Sequence, residues 1–196
     1  MYMTPLTQAG MLVINTLAGL YLLVVVLRFL LQLVRADFYN PVSQFIVKAT
    51  NPLLIPLRKV IPGLGGIDLA SLVLALFVQA VAIVLILLLN GIQPPLQVAI
   101  WAIIGVLSLF LKIYFWGLLI TVIASWIAPG SYNPALILIS QILEPAMKPI
   151  RKIMPDMGGL DLSPIIMFLT IQVMEVLLVR GMAGASGMPA GLIMGL

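Results

Sequence analysis

Four long apolar runs, broken by three more polar interruptions, set the pattern of this chain. The runs fall near residues 11–34, 69–89, 105–127 and 162–179, with Leu96 as an alternative start for the third. An α-helix needs about 20 apolar residues to cross about 30 Å of hydrocarbon, and the runs match that length. Transmembrane strands would instead show short alternating segments. The expected fold is therefore all-α and integral to a membrane: four transmembrane helices as two parallel two-helix repeats, each with a proline-rich amphipathic surface segment facing the cytoplasm.

The interruptions are of two kinds. The middle one, Asn90-Gly91-Ile92-Gln93-Pro94-Pro95, is a short uncharged turn signal. The outer two are long and are copies of one another. A shift of 93 residues with no gap lays Tyr39-Asn40-Pro41 on Tyr132-Asn133-Pro134, Pro52 on Pro145, Pro56 on Pro149 and Arg58-Lys59 on Arg151-Lys152. It also lays Pro62 on Pro155, Gly65-Gly66 on Gly158-Gly159, and Asp68-Leu69 on Asp161-Leu162. Of the 32 positions from Tyr39 to Ala70, 13 are identical to their partners, too many for two unrelated loops. Residues 1–93 and 94–196 are thus expected to be two copies of one unit, and because each carries two spans, both copies insert the same way round.

Within each copy, Asn40-Pro41 and Asn133-Pro134 are helix starts: Asn accepts from free N–H groups and Pro has none to leave unpaired. Residues 41–50 place Val42, Phe45, Ile46 and Ala49 on one side, which predicts a short amphipathic helix in the headgroup plane. Its counterpart, residues 135–143, is more apolar. Short stretches of helix or extended chain are expected between Pro52, Pro56 and Pro62. Gly65-Gly66 and Gly158-Gly159 then permit positive φ before Asp68 and Asp161, each expected as the N-cap of the next span.

Charge adds orientation. Seven of the ten basic residues (Arg35, Lys48, Arg58, Lys59, Lys148, Arg151 and Lys152) lie on the side of the long connections, and only Arg180 edges the other. By the positive-inside rule both long connections are cytoplasmic and both termini outside. Residues 1–10 contain no Lys or Arg, so the first span is expected to be retained rather than cleaved as a signal peptide. The net charge of +4 flanks membrane spans, which points to anionic lipid headgroups rather than to bound nucleic acid. Arg58, Lys59, Arg151 and Lys152 are the expected lipid- or partner-binding residues, with topology marking and anchoring as the plainer account of the same side chains.

Composition then removes chemistry. The chain is 63% hydrophobic and 8% charged, which no soluble domain of this length could bury, and it has neither Cys nor His. Thiolate and imidazole sites are excluded, the scattered methionines read as helix packing rather than ligands, and no cofactor or metal is expected. The carboxylates Asp37, Asp68, Glu144, Asp156 and Asp161 form no acid pair with a nucleophile, so no enzyme is expected.

Polar groups inside the spans are costly and are functional candidates: Arg28, Gln79, Lys112, Gln172 and Glu175. Lys112 lies 17 residues from Pro129 and Glu175 lies 14 from Asp161, similar depths of roughly 21–26 Å, so the two can pair and tie helices together, line an ion path, or make no contact at all. Gln79 and Gln172 occupy equivalent positions and are expected to meet at the internal interface. Arg28 is expected to snorkel to the inner headgroups or to pair with Glu175.

The doubled pattern N-P…P…P-x-R-K-[VI]-[IM]-P-x-x-G-G-[IL]-D-L resembles the YggT family of small bacterial membrane proteins, whose plastid relatives include YlmG-type proteins. The likeness covers nearly the whole chain, with Glu144 for Asn51 and Asp156 for Gly63 in the second copy. The resemblance implies a bacterial inner-membrane protein connected with osmotic or salt tolerance and cation homeostasis, and in plastids with cytochrome maturation or nucleoid and division organisation. The expected function is a non-enzymatic membrane organiser or assembly factor, working with a membrane-protein partner or as a homo-oligomer. An oligomeric cation channel or transporter is the alternative.

Overall fold

The computed structural model describes residues 4–127, 130, 132–153, 161–189 and 191–192. Helix α1 (Pro5–Leu33) begins well before residue 11 because Thr4 caps it, accepting from the Thr7 N–H at 3.2 Å, and Pro5 takes the first position. Its 29 residues reach about 44 Å, more than the hydrocarbon thickness. Helix α3 (Leu69–Leu89) has the expected bounds. Helix α4 (Val98–Ile127) starts at neither Gly105 nor Leu96: the pair Pro94-Pro95 keeps the preceding chain out of the helical region, and the Val98 N–H closes the first turn on the Pro95 carbonyl. The last span runs from Ser163 to Ala185, past residue 179, as α6 (Ser163–Met174), a π-helical turn (Glu175–Arg180) and α7 (Gly181–Ala185). These are four helices long and apolar enough to cross a membrane, as in a multi-pass membrane protein.

The connecting segments differ from the short helices expected. Helix α2 (Pro41–Val60) and helix α5 (Pro134–Ile153) are each 20 residues long and continue through two internal prolines. An interior proline costs about 3 kcal/mol, since it removes one hydrogen bond and crowds the preceding turn. The four-residue spacing from Pro52 to Pro56, and from Pro145 to Pro149, puts all these rings on exposed faces, where water or headgroups can take the freed carbonyls. The opposite face holds Ser43, Ile46, Thr50 and Leu54 in α2, and Leu138, Ile142, Leu143 and Met147 in α5, all buried. Burying apolar side chains at about 2 kcal/mol each offsets the defects: Leu138, Ile142, Leu143 and Met147 in α5, and Ile46 and Leu54 in α2, where the Asn40 and Arg58 hydrogen bonds to other elements add to it. Gly65 and Gly66 have φ of 61° and 88°, so the turn into α3 uses the left-handed region that glycine admits. Pro155, Asp156, Gly158 and Gly159, and the Pro129 and Leu196 positions, lie outside the described residues.

Helices α3 and α4 form the centre, α1 and the last span flank them, and α2 and α5 lie along one end. That end will be called the basic face. The two units share one core: Leu22, Val26, Leu54 and Leu74 from the first pack with Val106, Leu109, Leu138 and Ile142 from the second. A second cluster joins Ile83, Ile86 and Trp101 to Met167, Ile171 and Val179, and reaches Leu143 and Met147 of α5. Leu12, Leu17, Phe77, Leu169 and Leu177 point outward, as lipid-facing side chains must.

Candidate functional site

The basic face is built on the two surface helices. Asn40 caps α2, its Oδ1 accepting the Val42 N–H at 2.9 Å, while its Nδ2 donates to the Pro134 carbonyl at 2.8 Å. The Asp37 N–H donates to Gln141 Oε1 at 3.3 Å. One buried amide therefore serves as cap and as a tie between the units, so the starts of α2 and α5 are held together.

At the other end of α2, Arg58 turns inward. Its Nη2 donates to Asp68 at 2.5 Å and to Gln32 Oε1 at 3.0 Å. Asp68 also accepts the Ser71 hydroxyl and, at 3.4 Å, the Ser71 N–H, which makes it the N-cap of α3. One guanidinium thus fastens α1, α2 and α3. Burial of the Asp68 side chain, 3% exposed, works to raise its pKa, but the hydrogen bonds from Arg58 and Ser71 outweigh that and hold it below the usual carboxylate range.

The second unit repeats this clasp loosely. Arg151 reaches Asp161 at 3.2 Å and Glu144 at 3.0 Å, with every partner about half exposed. Ser125 stands where Gln32 would be, and Arg151 makes no hydrogen bond to α4. Asp161 is not the N-cap of the last span; Leu162 is. Position 71 becomes Pro164 in the second copy, which has no N–H to offer, so Asp161 accepts the Ser163 N–H at 2.9 Å instead and the helix starts one residue late. Between α4, α5 and α6 a cleft of about 700 Å³ opens, lined by Thr121, Ser125, Glu144, Arg151, Asp161 and Phe168 among others.

Of the four basic residues singled out from the sequence, Arg58 and Arg151 are therefore clasp residues. Lys59 and Lys152 remain exposed and, among the described residues, make no ion pair, as do Lys48 and Lys148. Gln32, Ser71 and Glu144 were not singled out, although Glu144 was legible as a charge appearing where its copy has Asn51.

Inside the spans the predicted groups separate. Gln79 is fully buried, and Gly105 on α4 is what admits it, because a Cβ there would collide with the amide. Gln172 does not meet Gln79. It lies on the exposed side of α6 and lines a cleft of about 200 Å³ with Lys112, Glu175 and Trp116. The repeat is copied in sequence but not closed in space: Gln79 packs on α4, whereas the matching surface for Gln172 would be Leu12 on α1, which is exposed and away from α6. Lys112 and Glu175 share this cleft without an ion pair within 4.0 Å, and Glu175 opens the π-helical turn. Arg28 lies in the first unit, near Arg58 and Asp68 rather than Glu175. No group of three metal-ligating side chains occurs among the described residues.

The sequence model of the CCB3/YggT family matches residues 7–89 and again 100–182, so both bounds of the second match lie 93 residues beyond those of the first. This chain belongs to the CCB3/YggT family. The relatives agree with the match. An uncharacterized protein of Pseudomonas aeruginosa is 56% identical over 190 residues, covering 95% of this chain and 96% of that one. A protein of Vibrio alginolyticus encoded in the proC 3′ region is 44% identical over 162 residues, covering 81% and 87%. The protein named YggT of Escherichia coli K12 is 38% identical over 165 residues, covering 83% and 85%. No solved structure matches the chain. The first match contains Arg58 and Asp68, and the second contains Arg151 and Asp161.

Proposed function

We propose that this YggT-family protein is a non-enzymatic organiser or assembly factor of the bacterial inner membrane, with its basic face toward the cytoplasm. The observation that carries this reading is the paired surface helices: tied to each other at Asn40, clasped to the spans through Arg58 and Arg151, they leave Lys48, Lys59, Lys148 and Lys152 outward. Such a surface attracts anionic lipid or an acidic segment of a membrane-protein partner, at about 1 kcal/mol per lysine. The YggT resemblance extends the role to osmotic and salt tolerance.

Lys59→Gln with Lys152→Gln tests this without touching either clasp. In membrane patches excised around the protein, the double variant is expected to carry less anionic lipid than wild type and to restore salt tolerance less well. Equal enrichment together with equal growth would sink the reading. The second reading, an oligomeric cation pathway, rests on Lys112, Gln172 and Glu175 gathered in one lateral cleft. Cation flux into liposomes holding the purified protein separates the two, since an organiser gives none above empty vesicles.

A further inference from the structure

The first unit contains an unmatched basic cleft distinct from the surface lysines. It has a volume of about 290 Å³ and lies between the end of α1 and the first turn of α2, lined by Arg28, Gln32, Arg35, Phe38 and Ser43 with apolar neighbours. Arg28 sits five residues before the end of α1, about 8 Å inside it. Its Nε is buried without a hydrogen-bond partner among the described residues, and the guanidinium makes no ion pair there. Ser43, 3% exposed, likewise has a buried Oγ with no partner. Among the described residues, no carboxylate lines the cleft. Asp68 is committed to Arg58, and Asp37 accepts the Tyr39 N–H at 2.9 Å.

Two further features point the same way. Arg35 occupies the left-handed region with φ of 53°, where the Ala36 N–H closes on the Leu31 carbonyl. Glycine takes that position after a helix without strain, and here an arginine holds it at the rim of the cleft. Gln32 gives its amide oxygen to Arg58, which leaves its NH₂ to donate. The residues lining the cleft therefore carry two guanidinium groups, a hydroxyl and an amide NH₂, each able to donate, beside the N-terminal end of a 20-residue helix. The copy has none of this set: positions 28, 32, 35 and 43 become Thr121, Ser125, Ala128 and Leu136.

We propose that this cleft binds one phosphate group per protein, in the first unit only. The phosphate comes from an anionic phospholipid headgroup or from free phosphate, and the chemistry of recognition is the same for both. A phosphate dianion or diester matches a cleft lined by two guanidinium groups, and it gives Arg28 an ion-pair partner that no carboxylate among the described residues supplies. The proposal goes beyond the surface-lysine reading and rests on it only in placing this face against anionic lipid.

The full-length protein in a phosphate-free detergent, followed by native mass spectrometry, provides the test. With phosphatidylglycerol, wild type is expected to retain one lipid, and with diacylglycerol of the same chains none. Arg28→Gln and Arg35→Gln are each expected to lower that retention about tenfold, with Arg28→Lys recovering part of it. Retention that survives millimolar inorganic phosphate assigns the site to lipid; displacement, with phosphate bound in its place, assigns it to free phosphate. Lys59→Gln with Lys152→Gln is expected to leave the single retained lipid in place, so failure of the surface reading and failure of this one are told apart. Arg35 lies at an exposed helix end, so its variant reports even if Arg28→Gln unfolds. Equal phosphatidylglycerol retention by wild type and Arg35→Gln, or equal retention of diacylglycerol, overturns the proposal.

Discussion

The two units of this protein are built from one pattern and have been put to different uses. In the first, Gly19 of α1, with open space beside it, and buried Ala82 of α3 stand where the second has Lys112 and Glu175. Its clasp is closed, with Arg58 joining α2 to α1 and α3 through Gln32 and a buried Asp68, and its one charge within a span, Arg28, lines a cleft beside Arg35. In the second unit the clasp is half exposed, the space beneath it is a cleft of about 700 Å³, and the intramembrane charge has moved toward the opposite end. The shared residues, Asn, Pro, Arg, Gly and Asp, are those that shape the backbone and tie elements together. The residues that differ carry charge into the spans, and there the copies are free to diverge.

The sharpest way to break this comparison is at the clasps. Asp68→Ala strands Arg58 beside a buried cap and is expected to cost about 3 kcal/mol in detergent melting, whereas Asp161→Ala, in solvent, is expected to cost at most about 1 kcal/mol. Equal losses would show that the units are equivalent after all. The pH dependence has a definite sign. Because the folded pKa of Asp68 is depressed, its contribution is complete above the ordinary carboxylate pKa and is lost as pH falls through the folded value. Melting temperature should fall in acid for wild type, and that limb should flatten in Asp68→Asn.

The next largest effect is expected at the unit boundary. Gly105→Ala drives a Cβ into the buried Gln79 amide and should destabilise by about 1–2 kcal/mol, while Leu12→Ala at the matching exposed position should change stability by under about 0.5 kcal/mol. A silent Gly105→Ala would mean that α3 and α4 do not approach as closely as described.

The smallest effect is expected for Lys112 and Glu175. They share a cleft open to one side and make no ion pair within 4.0 Å, so a double-mutant cycle to Met should give a coupling of under about 1 kcal/mol. A coupling of several kcal/mol in the membrane would show that the two side chains close on each other, as their similar depth first implied.

How far the sequence reached depended on how local the cause was. Apolar length and the positions of Asn40, Pro41, Gly65, Gly66 and Asp68 act on their own neighbourhood, so the four spans, the repeat and the first cap were readable directly. Pro52 and Pro56 looked like breaks, since a proline's cost is local and visible, while the burial of Ile46 and Leu54 that helps offset it depends on packing against α1 and α3. Gln79 and Gln172 looked equivalent for a similar reason. Their shared offset of 93 residues records a common local structure, not a common surrounding.

What the sequence by itself determined is therefore the membrane fold, its duplication and the family, because apolar length and repeat spacing carry those through the chemistry of single segments. Only the tertiary structure decided which arginines clasp and which cation is left unmatched. Arg28, Arg35 and Arg58 are alike as residues, and what separates them is whether a carboxylate from another helix lies within hydrogen-bond reach: Asp68 does so for Arg58, and among the described residues no carboxylate lines the cleft that holds Arg28 and Arg35.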